Sequence, residues 1–216
     1  MKSIWKRIGV FVVATLFLLL TGLVVAILSD RFSLHIWLNA RHTLFIDGLM
    51  SLLTHLASGW AIVVFVIVLA SINTRLSLVT AITGACSGLF VQVLKRLAFA
   101  DYMRPAYYLD SMPGLNLVEN IELHQYFSFP SGHATTIFAL MCCVSMLYAK
   151  YWFKILCVLF AACIAYTRIY LSMHFFEDVM AGALLGTVTA LLISVVVFRF
   201  TPNTWETSII KLCSRK

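Results

Sequence analysis

The chain has 216 residues, 62% hydrophobic and 12% charged, with a formal net charge of +7 and a mean hydropathy of +0.95. That composition excludes an ordinary soluble domain and, with long apolar runs broken by short polar loops, predicts a polytopic all-α membrane protein. The basicity forms no compact patch with aromatic stacking surfaces, so no nucleic-acid partner is expected, and anionic lipid headgroups are its natural counterpart.

The opening Met1-Lys2-Ser3-Ile4-Trp5-Lys6-Arg7 resembles the charged start of a signal peptide. The apolar run behind it is longer than the roughly 7–15 residues of a signal core, and no small-x-small site ends it, so an uncleaved membrane anchor is expected. Apolar runs near the roughly 20 residues that span a bilayer predict six transmembrane helices, at about 8–28, 49–72, 76–99, 131–149, 155–170 and 178–200. Between the first two, Ser29–Gly48 mixes Phe32, Ile36, Trp37 and Leu38 with polar groups, which suits a segment lying on the membrane surface. Between the third and fourth, about Ala100–Pro130 is the longest polar stretch, and a loop of that length is usually functional. No linker, repeat or low-complexity stretch divides the chain, so residues 1–216 read as one membrane-embedded domain.

Charge sets the expected orientation. With the amino terminus in the cytoplasm, Lys2, Lys6, Arg7, Arg75, Lys150, Lys154, Arg199, Lys211, Arg215 and Lys216 lie on that side. Arg31, Arg41, Lys95, Arg96, Arg104 and Arg168 lie on the other. Positive residues favour the cytoplasm, so both termini are expected inside and the long loop outside. Five of the six cysteines fall in predicted helices, none with zinc-type spacing to histidines, and they read as small packing residues.

Three clusters then fall on the external face. Arg168-Ile-Tyr-Leu-Ser-Met-His174-Phe-Phe-Glu-Asp178 sets an Arg, a His and an Asp beside a long apolar segment, where unused charge is expensive. His174 and Asp178 are four apart, which places them on one helix face. A carboxylate there can hold one imidazole nitrogen and leave the other free to attack, while Arg168 offers a fork suited to phosphate. Arg168 and His174 would splay about 120° apart on one ideal helix, so a break is expected near Ser172. The second cluster is Phe129-Pro130-Ser131-Gly132-His133: Ser131 is a good N-cap, Gly132 permits close approach, and a helix N-terminus binds anions. Alone it reads as a capped helix with an interfacial histidine. The third is Lys95 with Arg104-Pro105; alone, Lys95 and Arg96 read equally as basic residues reaching for the interface. Residue types do not by themselves choose between His174 and His133 as nucleophile, although the Asp partner favours His174. Glu177 points away from Asp178, His55 reads as a packed or hydrogen-bonded histidine within the second helix, and Glu122 and His124 as loop polarity.

The order Lys95 … Arg104-Pro105, Pro130-Ser131-Gly132-His133, Arg168-x5-His174-x3-Asp178 resembles the three motifs of the type-2 phosphatidic acid phosphatase superfamily, which holds membrane lipid phosphatases and soluble haloperoxidases. The second and third motifs match in spacing. The first departs, with eight residues between Lys95 and Arg104 where six are usual (seven from Arg96), and Thr167 stands in place of the usual Ser. The resemblance implies a two-step mechanism without metal or cofactor. His174 would form a phosphohistidine, Asp178 would hold its other nitrogen, and His133 would protonate the leaving group and then activate water. Lys95, Arg104, Arg168, Ser131 and Gly132 would bind the phosphate oxygens. The expected partner is a lipid phosphate or diphosphate in the surrounding membrane lipid, with no obligate protein partner. Undecaprenyl diphosphate and a broad phospholipid activity lead, ahead of lipid A 1-phosphate. The expected setting is a bacterial inner membrane with a periplasmic or extracellular site. A phosphotransferase passing phosphate to an acceptor lipid is the alternative, and a non-catalytic lipid-binding protein ranks below it.

Overall fold

The computed structural model describes residues 2–119 and 121–213, and among these every regular element is a helix. In chain order the α-helices are α1 (Lys2–Leu28), α2 (Arg31–Asn39), α3 (Leu44–Leu53), α4 (Gly59–Ile72), α5 (Thr74–Leu97), α6 (Gly132–Ser145), α7 (Tyr151–Tyr170), α8 (Phe176–Phe200) and α9 (Ile209–Cys213). Four of them, α1, α5, α7 and α8, are long and apolar enough to cross a membrane. The protein is an all-helical integral membrane protein.

Two of the six expected helices come out differently. The expected 49–72 helix is a bent pair: α3 passes through a 3-10 turn at Thr54–Ala57 and meets α4 at 61°, and only together do the two pass as a span. Ser58 causes the break, since its extended backbone (φ −80°, ψ 163°) interrupts the hydrogen-bond ladder. The expected 131–149 helix stops after 14 residues at Ser145, and Lys150, also extended, starts α7 at Tyr151. α6 can be short because protein surrounds it. It packs on α1, α5, α7 and α8 and buries Ile137, Phe138, Leu140, Cys142 and Cys143. The cysteines described in α5, α6 and α7 are all free thiols.

The tightest joint is between α6 and α8. A Cβ on Gly182 would run into the Ser131 carbonyl oxygen, and one on Gly186 into that of Thr135. These two glycines let one backbone lie against the other. The start of α6 is thereby pinned to the start of α8, where Ser131 N–H also donates to the Asp178 carbonyl at 2.9 Å.

The surface segment expected at 29–48 contains α2, capped by Asp30, whose carboxylate accepts the Ser33 N–H at 2.9 Å. The long loop holds two 3-10 turns, at Pro105–Tyr107 and Leu109–Ser111, and doubles back on itself. Arg104 N–H donates to Gln125 O and Ser128 N–H to Tyr102 O, both at 2.8 Å. At the far end of the bundle, Glu206 ties α1 to α5 through Arg7 (3.0 Å) and Arg75 (2.7 Å). The chain's two described ends thus meet there, together with Lys154 and Arg199, while Lys95, Arg104 and Arg168 gather at the other end. Arg215 and Lys216, which entered the charge count, lie outside the described residues.

Candidate active site

The site is built where α5, α6, α7 and α8 share an end. α7 stops at Tyr170 and α8 starts at Phe176, so the inferred break near Ser172 is present; Ser172 itself takes a left-handed φ of +51°. The backbone N–H groups of Met173 and His174 both donate to the Arg168 carbonyl, at 2.9 and 3.1 Å, which folds the linker back over the end of α7. His174 therefore sits in the linker, before α8, rather than on a helix face with Asp178 as its spacing suggests. Asp178 occupies the third position of α8 and caps it, its Oδ2 accepting the Phe175 N–H at 2.9 Å.

That one oxygen also serves two side chains. The Ser128 hydroxyl donates to it at 2.5 Å, and His174 Nδ1 lies 3.4 Å away. Ser128 and Asp178 are fully buried and His174 is 2% exposed, so no water competes for the carboxylate. With Nδ1 turned to Asp178, Nε2 is the free ring nitrogen. Burial, then the positive charges of Arg104, Lys95 and Arg168, hold the His174 imidazole well below its ordinary range. The ring is thus neutral, the form that carries a lone pair on Nε2.

Cations surround this pair. Arg168, buried, donates to Thr54 Oγ1 at 2.8 Å, and its Nε has no partner among the described residues. Lys95 is buried and donates to the Phe127 carbonyl at 2.8 Å, whereas the neighbouring Arg96 is exposed. Arg104 Nε donates to Tyr126 O at 2.9 Å, and an amino group lies 3.4 Å from Met173 O. At the start of α6, Ser131 Oγ accepts the Ala134 N–H at 3.4 Å, leaving the N–H groups of Gly132 and His133 without intrahelical acceptors. His133 is half-buried among the charges of Arg168, Arg104 and Lys95. Lys95, Arg104, Ser131, Gly132, His133, Arg168, His174 and Asp178 are therefore brought to one end of the bundle. Among the described residues, no three of His, Cys, Asp and Glu are grouped so as to hold a metal ion.

Residues 74–202, which contain all of these groups except Thr54, match the profile of the PAP2 superfamily. The chain belongs to the PAP2 superfamily. It is 43% identical over 60 residues to the lipid A 4′-phosphatase of Bacteroides thetaiotaomicron, a match covering 28% of this chain and 27% of that protein. It is 32% identical over 133 residues to the lipid A 1-phosphatase of Rhizobium johnstonii, covering 57% and 51%. The chain thus spans about half, or less, of the length of these curated relatives. Among solved structures, Aquifex aeolicus LpxE superposes with a TM-score of 0.66 at 25% identity, over 79% of this chain and 95% of that one. A transmembrane PAP2 type phosphatidylglycerolphosphate phosphatase from Bacillus subtilis superposes at 0.62 and 18%, over 92% and 99%, a likeness of fold alone.

Several residues of this PAP2 site carry no signal in sequence. Ser128 and Thr54 hold Asp178 and Arg168 from 50 and 114 positions away. Asn39 of α2 donates to Tyr170 O at 2.8 Å and to Ser172 Oγ at 3.1 Å, bracing the linker that carries His174. His35 joins Ser172 at 3.3 Å. His55, expected to be packed or hydrogen-bonded within a helix, is instead exposed in the 3-10 turn beside Thr54 and contributes to the charge around His133. Glu177 turns outward to pair with Arg31, and Glu122 is exposed. His124, read as loop polarity, lines a cavity of about 360 Å³ with Lys95, Arg96 and Arg104.

Proposed function

We propose that the protein is an integral-membrane phosphatase that releases phosphate from a lipid phosphate through a phosphohistidine on His174. The observation that carries this reading is the buried His174–Asp178 pair, with a neutral imidazole and a free Nε2, ringed by Lys95, Arg104 and Arg168. His174 Nε2 attacks phosphorus, and the bond to the lipid oxygen breaks as His133 gives that oxygen a proton. Asp178 holds Nδ1–H and stabilises the ring as it becomes positive. His133, now a base, takes a proton from water, whose oxygen attacks the phosphohistidine and returns the nitrogen lone pair to His174. The three cations and the free N–H groups at the start of α6 carry the charge on the phosphoryl oxygens in both steps, which leaves no step requiring a metal.

The named relatives move the substrate towards lipid A, with its 1-phosphate ahead because that match covers more of the chain. Undecaprenyl diphosphate and phosphatidylglycerol phosphate come after it. The segregation of cations between the two ends supports six crossings in which the bent pair and α6 each count as one. Both chain ends then lie in the cytoplasm, and the site opens to the periplasm or exterior of a bacterial inner membrane.

The test is phosphate release by the detergent-purified protein from lipid A, undecaprenyl diphosphate, phosphatidylglycerol phosphate and phosphatidic acid, with EDTA present and with or without vanadate. The proposal requires EDTA-resistant, vanadate-sensitive release that is lost in His174→Ala. Equal release by the two proteins would remove His174 from the mechanism. Labelled acceptor lipid without free phosphate would instead identify a phosphotransferase.

A further inference from the structure

At the end opposite the active site, α1 and α7 leave a continuous trough. Its mouth is a cavity of about 580 Å³ bounded by Lys6, Arg7, Lys154 and the turn at residues 146–149. Lys6 and Ala149 also border a larger cavity, about 1070 Å³, that runs along α1 and α7 past Val10, Val13, Phe17, Ile155 and Leu159. Apart from Lys6 and a few hydroxyls, that second cavity is lined by apolar side chains, and Val13, Phe17 and Leu159 are exposed along it.

Charge does not balance at the mouth. Glu206 is committed to Arg7 and Arg75. Lys154 is 1% exposed, yet among the described residues its ammonium donates only to the main-chain carbonyls of Arg7 and Ser145. Among the described residues no carboxylate lies within ion-pairing distance of it. An ammonium carries three donors, so one remains for a further acceptor. A buried cation without a counter-ion is expensive, and Lys6 adds a second positive charge, exposed, beside it. A basic pocket that opens into an apolar trough matches the two halves of an anionic lipid, and basic pockets between transmembrane helices are where such headgroups bind.

We propose that this trough is a binding site for an anionic phospholipid. Its phosphate docks between Lys6, Arg7 and Lys154, and its chains lie along Val10–Phe17 of α1 and Ile155–Leu159 of α7. The site is separate from the active site, because Lys154 and Arg168 lie towards opposite ends of the twenty-residue α7, roughly 30 Å long. The ligand touches none of the groups assigned to catalysis. It supplies the counter-ion that the far end of the bundle lacks and seals α1 to α7.

Native mass spectrometry of the detergent-purified full chain tests this, with phosphatidylglycerol and phosphatidylcholine of identical chains as probes. One phosphatidylglycerol should be retained per protein at lipid concentrations where phosphatidylcholine is not. Lys6→Gln, at an exposed position, should weaken retention about fivefold, the effect of losing one basic contact with an anionic headgroup. Val13→Trp, which fills the trough from an exposed position, should weaken it comparably, and thermal melting confirms that both variants are folded. Arg104→Gln should leave retention unchanged. Equal retention of the two lipids would overturn the proposal, as would full retention in both trough variants. Loss in Arg104→Gln would move the lipid to the active site, and a doubled protein mass would mean that a second copy fills the trough.

Discussion

Ser128→Ala removes the hydroxyl that donates to Asp178 Oδ2 at 2.5 Å. Both residues are fully buried, and the other carboxylate oxygen, Oδ1, has no hydrogen-bond partner among the described residues, so none of these replaces the lost donor. Asp178 is then held by the Phe175 N–H alone, with His174 Nδ1 3.4 Å away. A hydrogen bond to a charged group is worth about 1.5–3 kcal/mol, and each 1.4 kcal/mol is a factor of ten in rate. The carboxylate matters most when His174 carries positive charge in the phosphohistidine, so most of the loss should fall on the transition state. The expected result is a kcat lower by about ten- to a hundredfold, with KM within about threefold because the Ser128 hydroxyl is spent on Asp178. The assay is phosphate release from a micellar lipid phosphate in EDTA, with a thermal melt to show that the variant is folded. A folded variant with unchanged kcat would refute the role of Ser128 in steadying Asp178, and a change confined to KM would make Ser128 a phosphate ligand instead.

Gly182→Ala would drive a methyl into the Ser131 carbonyl and should lower stability by about 1–3 kcal/mol together with activity. Gly88→Ala, which meets nothing within 4 Å, is the matched control and should melt no lower than the parent. Thr54→Val leaves a buried Arg168 donor unpaired and should raise KM for the lipid phosphate about five- to tenfold; an unchanged kcat/KM would show that Thr54 does not anchor Arg168. Stability should fall in acid through His35, whose imidazole is pushed down to about 4 by burial and then by the charge of Arg31. Below about pH 6.5 the unfolded chain takes up a proton that the folded ring refuses until about pH 4. The stability is therefore present above pH 6.5 and is lost towards pH 4, by at most ~3 kcal/mol. Melting temperatures measured across that window should show a shallower acid slope in His35→Phe, and identical slopes would exclude His35 as the source.

What could be read from sequence was what local spacing encodes. The runs of apolar residues predicted the long helices, and the six-residue step from Arg168 to His174 required the turn that Ser172 makes. The placement of His174 was not legible, because a four-residue spacing is equally compatible with a helix face and with a residue just before a helix whose third position reaches back. The Ser58-Gly59 break went unread because the flanking residues are apolar enough to continue a helix. Ser128, Thr54 and Asn39 were invisible for another reason: they act through hydrogen bonds that reach across 50 to 133 positions, and polar residues of those types carry no local pattern. The difference between Lys95 and Arg96 also needed the fold, since sequence does not tell that the first is buried and the second exposed.

The Gly182–Ser131 contact ties the site to a backbone-to-backbone distance rather than to the lipid around it. A membrane that thins or thickens changes helix tilt through the side chains exposed to its chains. α1 and α4 present many such side chains, including Phe17, Leu20, Val64 and Ile67, whereas α6 is enclosed by its neighbours. The outer helices can therefore lean to follow the bilayer while α6 and the start of α8 move as one piece, carrying His133, His174 and Asp178 with them. Turnover of a lipid phosphate should for this reason depend less on acyl-chain length than on headgroup chemistry.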